Sequence, residues 1–128
     1  EAVNNVNSFD YIINCLPLNS TSINYFNKAF FNEMNNKSIY INIGRSGTTV
    51  FEDLMDVVKN NVIRGAYLDV YETDDIIKNE IITDNRFIIS PHISGWTTEY
   101  WNDQSRLLLS NLESFKEGNY SQLINQIV

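Results

Sequence analysis

Three apolar runs in this chain end in residues able to do chemistry. Ile39 to Ile43 stops at Gly44, presents Arg45 and turns on Gly47. Ala66 to Val70 carries Asp69 and is followed by Glu72. Phe87 to Ile89 leads through Ser90 and Pro91 into His92, the single histidine, and then Ser94 and Gly95. A guanidinium is a permanent cation, and an imidazole can hold or release a proton near neutral pH. In an open α/β sheet, ligands bind outside the carboxyl ends of the strands. If the three runs are parallel strands, a cation, a carboxylate and an imidazole meet along one rim. Singly each residue is ordinary, since a loop arginine is usually a solvated cation and a lone histidine usually a surface group. Three strand ends with complementary side chains are a stronger sign of a site.

The elements that would position these residues alternate between two periods. Tyr11 to Leu16 is a short apolar run closed by Pro17 and reads as a buried parallel strand that the proline ends. Asn19 to Ser22 is a loop, and a helical turn is expected over Ile23 to Phe26. Asn27 can cap a helix reaching Met34, with Ala29, Phe30 and Met34 on one face. Ile39 to Ile43 is the second strand. Phe51, Leu54, Met55 and Val58 recur at helical spacing, so Phe51 to Asn60 is predicted to be a helix with Glu52, Asp53, Asp56 and Lys59 outward. Ala66 to Tyr71 and Phe87 to Ser90 are the third and fourth strands. Asp74 to Lys78 reads as a short helical turn with Ile81 and Ile82 beneath it.

A long helix is predicted over 97–118, capped by Thr97 or Thr98 and stopped at Gly118. Its stripe of Trp101, Leu108, Leu109, Leu112 and Phe115 reads most simply as core-facing, and core is the simplest reading of Trp96, Tyr100 and Trp101. Tyr120 to Val128 reads as a mobile tail. The fold class is therefore α/β with a largely parallel sheet, followed by a long C-terminal helix. Four strands leave a first edge exposed, which suggests a piece of something larger.

Bulk properties remove several function classes. The 128 residues carry sixteen acidic against nine basic side chains, a formal charge of −7. That balance opposes nucleic-acid binding, and no basic patch appears. No apolar run approaches a membrane span. One histidine and no clustered ligand spacing leave metal-dependent hydrolysis poorly supported, and no metal site is expected. Cys15 is the only cysteine, so no intrachain disulfide exists and a reducing, cytoplasmic setting fits.

The sequence resembles the D-isomer-specific 2-hydroxyacid dehydrogenases. The resemblance rests on Cys15-Leu16-Pro17-Leu18, Asn42 to Gly47, Gly65 to Glu72 and Ser90 to Gly95, four stretches in order at compatible spacing. It implies that residues 1–128 are a single partial domain, the parallel-sheet, C-terminal half of a Rossmann-type dinucleotide-binding domain, with 97–118 returning toward an absent substrate domain. It implies an oxidoreductase passing hydride between NAD or NADP, NAD favoured, and a small 2-oxo or 2-hydroxy acid. Arg45 matches the arginine that grips the substrate carboxylate, where a planar donor fork fits better than a point charge. His92 matches the general acid/base. Asp74 matches the carboxylate that orients the histidine, one methylene shorter than the family's glutamate. Glu72 and Asp75 are neighbouring acids, and a helix N-cap is the plainer reading of Asp74.

Cofactor contacts carry over in the same way. Asp69 matches the acceptor of the nicotinamide carboxamide, Leu16, Pro17 and Ser22 the adenosine side, and Ile43 and Gly44 the backbone beside the nicotinamide. Ser46 stands where the family usually has glycine. The Gly-x-Gly-x-x-Gly pyrophosphate loop does not occur in these residues. The chain is therefore expected to be a truncated, processed or partly ordered product, inactive alone and unable to bind dinucleotide tightly. A homodimer through the cofactor domain is also implied. The alternative is a non-catalytic, cofactor-responsive scaffold of the same fold.

Overall fold

The structure is a computed structural model that describes residues 5–73 and 81–125. The chain forms two compact units, Glu1–Ser94 and Gly95–Val128. In the first, strands β1 (Tyr11–Asn14), β2 (Ile39–Asn42), β3 (Gly65–Leu68) and β4 (Phe87–Ile89) form one parallel sheet in the order β1-β2-β3-β4. Helices α1 (Lys28–Asn32) and α2 (Phe51–Lys59) intervene.

Alternation along β2 buries Tyr40 and Asn42 and leaves Ile39 and Ile41 half-buried. Beneath the buried face, Phe31, Leu54, Val57, Val58, Ile63 and Leu68 form the core with Tyr40. Phe26, Phe31 and Tyr40 meet ring on ring at 5.1–5.2 Å between centroids. The opposite face is barer. Tyr11, Ile13 and Ile88 are 62%, 58% and 63% exposed, so β1 is not the fully buried strand its composition suggests. A parallel strand is apolar on both faces because both are normally covered, and among the described residues one face here is not.

Strand ends also fall earlier than the proline predicts. β1 stops at Asn14, whose Oδ1 accepts the Leu16 amide at 2.9 Å. β2 stops at Asn42, whose Oδ1 accepts the Gly44 amide at 3.1 Å. Each asparagine thus turns its own chain out of the ladder two residues on.

The expected helical turn at Ile23 to Phe26 is absent. Asn24 takes a left-handed φ of 54°, which interrupts any helix, and Phe26 instead bridges in parallel to Thr49. Asn27 does cap α1, accepting the Ala29 and Phe30 amides. The face differs from the expected one: Phe31 and Met34 are buried, whereas Ala29 is exposed. α2 follows the periodic reading closely, with Leu54, Met55 and Val58 buried and Val57 added to the buried set.

Beyond α2, Arg86 ties two elements together. Its guanidinium pairs with Asp84 at 2.7 Å and donates to the Val58 carbonyl at 2.7 Å, near the negative end of α2. Its own carbonyl sits where a Cβ on Gly65 would fall, 2.3 Å away, so only glycine lets β3 approach β4 there. Ile81 is buried in a 3-10 turn over Ile81–Thr83. The expected turn over Asp74 to Lys78 lies outside the described residues.

In the second unit, α3 spans Tyr100–Lys116. Neither Thr97 nor Thr98 caps it; Glu99 occupies the N-cap, and its carboxylate accepts from the Asn102 side chain rather than from a helix amide. Its end is as expected. Gly118 has φ 73°, its amide bonds to the Phe115 carbonyl, and the Asn119 amide bonds to Ser114. The segment after it is folded back rather than loose as far as residue 125, because Asn111 donates to the Ile124 carbonyl and accepts its amide. No residue of α3 is buried. The stripe is therefore not core-facing: Trp101 is 74% exposed, and Leu108, Leu109, Leu112 and Phe115 are exposed as well. Trp96 is exposed too, and Tyr100 is half-buried. Helical spacing shows that a stripe exists but not what covers it.

Candidate active site

The site is built outward from Asn14 and Asn42, which face each other in register across β1 and β2 and are each 1% exposed. Asn14 Nδ2 donates to Asn42 Oδ1 at 3.0 Å, to the Tyr40 hydroxyl at 3.0 Å and to Thr48 Oγ1 at 2.7 Å. Thr48 Oγ1 in turn donates to the Arg45 carbonyl at 2.6 Å, and Asn42 Nδ2 reaches that carbonyl at 3.4 Å. The Arg45 backbone is thus held from inside the protein while its side chain is exposed. One guanidinium nitrogen donates to the Gly44 carbonyl at 2.7 Å, and Arg45 has no acidic partner among the described residues. Burial pushes the Tyr40 phenol above its ordinary pKa, although hydrogen bonds from Thr49 and Asn14 oppose the shift. Tyr40 stays a neutral member of the network.

Asp69 follows β3 and is 1% exposed. His92 lies just past β4 in a left-handed conformation, φ 56°, with its side chain exposed. Such a φ is uncommon for a residue with a Cβ and marks a held loop. Arg45, Asp69 and His92 all line one cleft of about 340 Å3, together with Ser46, Val70, Tyr71 and Pro91. The three chemistry-bearing strand ends therefore do meet. Asp74 lies outside the described residues. Glu72 is engaged elsewhere, accepting from the Ser46 hydroxyl at 2.6 Å.

The residues expected along a cofactor divide between two places. Leu16, Pro17 and Ser22 line a second cavity of about 630 Å3 with Tyr25 and Phe30. Ser22 is buried with its hydroxyl occupied, donating to the Pro17 carbonyl and accepting the Asn19 amide, so it locks this loop. Ile43 and Gly44 form the backbone step between Asn42 and Arg45. Gly44 lies so close to the β1 end that a Cβ would stand 2.8 Å from the Leu16 carbonyl oxygen. A largely apolar cavity beside a polar cleft, at the carboxyl ends of parallel strands, fits part of a dinucleotide. A pyrophosphate seat on a helix N-terminus is not among these residues.

Sequence reading missed Asn14, Thr48, Ser90 and the Ser46–Glu72 pair. A usable signal existed for the first, because the apolar runs that become β1 and β2 each carry an asparagine as their fourth residue. Among the described residues no three potential metal ligands cluster, and no helix is long and apolar enough to cross a membrane.

Two carboxylates, Asp69 at the site and Asp84 ahead of β4 at the other end of the strands, resist protonation. Burial alone would raise the Asp69 carboxyl, but bonds from Ser90, Ser94 and Ile93 outweigh it and hold the pKa below the ordinary range. Arg86 does the same for Asp84 through its side-chain and backbone bonds. A depressed folded pKa means stability that is present above the ordinary carboxylate value and lost as pH falls toward the lowered one. The melting temperature is thus expected to fall on the acid side below about pH 4. Asp84→Asn should flatten that limb in a series of melts across pH.

Four parallel strands with intervening helices and a ligand cleft at their carboxyl edge make this a Rossmann-like α/β unit. The chain belongs to the D-isomer specific 2-hydroxyacid dehydrogenase family, whose NAD binding domain matches residues 3–94. It is 32% identical over 111 residues to a Dictyostelium discoideum protein described as "Probable 2-ketogluconate reductase", covering 86% of this chain and 33% of that one. A glyoxylate reductase of Pyrococcus furiosus is 28% identical over 109 residues, 85% of this chain and 32% of its own. The chain therefore spans about a third of the length of these curated relatives. A solved D-isomer specific 2-hydroxyacid dehydrogenase from Xanthobacter autotrophicus Py2, in complex with NADPH and MES, matches with a TM-score of 0.83 at 16% identity, over 96% of this chain and 50% of that one. The NADPH-dependent glyoxylate/hydroxypyruvate reductase of Sinorhizobium meliloti, in complex with NADP and sulfate, matches with a TM-score of 0.76 at 22% identity, over 88% and 37%. Both likenesses are of fold.

Proposed function

We propose that the protein carrying this chain transfers hydride between a nicotinamide dinucleotide and a small 2-oxo or 2-hydroxy acid. The observation that carries this reading is the shared cleft of Arg45, Asp69 and His92. Arg45, without an acidic partner among the described residues, grips the substrate carboxylate and draws electron density from the adjacent carbonyl. His92 donates a proton to the carbonyl oxygen in reduction and takes it back in oxidation. The bound dinucleotide supplies or accepts the hydride. Leu16, Pro17 and Ser22 flank its adenosine side, Ile43 and Gly44 the nicotinamide, and Asp69 the carboxamide. Asp74 orients His92. NAD is favoured over NADP, with glyoxylate or hydroxypyruvate as the first acids to try given the relatives' names. The reading includes a cytoplasmic setting, consistent with the exposed thiol of Cys15, and a homodimer.

The test is NADH oxidation with a panel of 2-oxo acids. Loss of a charge-assisted bidentate contact is worth about 1.5–3 kcal/mol, so Arg45→Ala is expected to lower kcat/KM by about 10- to 100-fold, mostly through KM for the acid. Arg45→Lys should recover only part, because a point charge does not reproduce the fork. An unchanged KM for the acid in Arg45→Ala rejects the assignment. One sequence feature favours a second reading. Aspartate at 74 is a methylene shorter than the family's glutamate, which suits a scaffold that binds dinucleotide without turnover. Dinucleotide binding with no activity on any 2-oxo acid selects it.

A further inference from the structure

We propose that Asp69 is a positioning residue of His92, clamping the backbone of the Ser90–Ser94 loop in the conformation that presents the imidazole to the cleft. Asp69 Oδ1 accepts from the Ser90 hydroxyl and from the Ile93 amide at 2.9 Å, and Oδ2 accepts the Ser94 amide at 2.9 Å. His92 stands between these attachments. Its own amide turns back to the Ser90 carbonyl at 3.0 Å, while the Ser90 amide is fixed to Leu68 at 3.0 Å. The Ser90 hydroxyl is further held by the Tyr67 hydroxyl at 2.6 Å. A left-handed residue followed by two amides that converge on one carboxylate is a backbone nest filled by the protein's own anion.

The side-chain chemistry leaves little freedom at 69. An ionised carboxylate offers about four lone-pair sites and no proton, and three are already used here. Asparagine would aim an NH2 group at one of the amides or the hydroxyl, and glutamate would overreach by a methylene. The depressed carboxyl pKa agrees with this arrangement, since the bonds from Ser90, Ser94 and Ile93 favour the ionised form. The clamp is also long-range: Asp69 and its loop partners are 21 to 25 residues apart, so β3–β4 pairing must form before it can close.

This inference rests on His92 being the proton donor, and its experiment separates the two ideas. Amide hydrogen exchange in the 128-residue chain is followed at Ile93 and Ser94, with Ile41 and Tyr67 as strand controls. Asp69→Asn is expected to speed exchange at Ile93 and Ser94 about tenfold or more, leaving the controls in place. In the protein carrying the chain, the same substitution is expected to lower kcat about 100-fold through misplacement of His92, a larger change than that in KM for NADH, to which the carboxamide contact contributes. Ser90→Ala removes one of the three donors and should show the same pattern at smaller size.

A rise in KM for NADH with kcat intact makes Asp69 a cofactor contact only and overturns the proposal. So does unchanged exchange at Ile93 and Ser94. If Asp69→Asn unfolds the chain, shown by lost protection at the controls, Ser90→Ala decides: exchange and kcat both at wild-type values overturn it. Full turnover in a His92→Ala protein instead rejects the site reading, while the exchange data still settle the clamp.

Discussion

Replacing His92 with alanine is expected to lower turnover of a 2-oxo acid by about 10²–10⁴-fold, the usual worth of a positioned general acid. KM for the acid should change little, since Arg45 rather than His92 carries the carboxylate. The loss should fall on kcat because the proton moves only as the carbonyl becomes an alkoxide. His92→Gln should fare no better, since an amide can hydrogen-bond the oxygen but cannot deliver a proton near neutral pH. The only histidine of the chain lines the same cleft as its arginine, so no second imidazole here can substitute. Steady-state kinetics across pH check this: the limb that reports the proton donor should vanish in both variants. Activity within about tenfold of wild type would remove His92 from the chemistry.

Asn14→Ala is the second large effect, and it concerns stability. About 2–4 kcal/mol should be lost, from a cavity, an orphaned amide and broken network bonds together. Asn14 is 1% exposed and lies 26 to 34 residues from the three oxygens it serves. Its NH2 has two hydrogens for those three acceptors, so the network shares protons and no hydrogen is spare. Its carbonyl oxygen also takes the Leu16 amide, which alanine leaves without an acceptor. A drop of about 10–25 °C in melting temperature is expected for a unit of this size. Asn14→Asp should be worse, because it keeps the acceptor for Leu16 but turns a buried carboxylate toward three oxygens. Chemical denaturation of wild type and both variants measures the order. Asn14→Ala at wild-type stability would mean that the network forms but contributes nothing net.

The two effects meet at Arg45. Its carbonyl is bonded by Thr48 and Asn42, both of which Asn14 holds, so the turn that presents the guanidinium is an extension of the buried network. Damage at Asn14 should therefore reach KM for the acid as well as stability. The same logic explains why Ser46 is more than a loop residue. Its bond to Glu72 joins the turn after β2 to the segment after β3, on the rim of the cleft.

Much of this was legible in the sequence, and for local reasons. Apolar runs of strand length separated by helical spacing specify alternating β and α, and α2 appears within a residue of its predicted span. Asn27 caps and Gly118 stops because caps are set by one side chain or one φ angle. Arg45, Asp69 and His92 could be singled out because each follows an apolar run. What failed was partner choice. Ala29 was expected inside and Phe31 is there instead, packed on Tyr40. The α3 stripe was expected in a core and is exposed.

By itself, then, the sequence determined the alternation of strand and helix, a largely parallel sheet, the chemistry-bearing residues near the strand ends and the family. Only the tertiary structure decided that β1 and β2 end on paired asparagines, that Asp69 is saturated by the loop carrying His92, and that Glu72 turns to Ser46. The reason is physical. Helix and strand periods and caps are written within a few residues, whereas these hydrogen bonds join groups 21 to 34 residues apart. Such pairs exist only after the strands have chosen their register, and a polar side chain's partner is settled by which donors burial brings within reach.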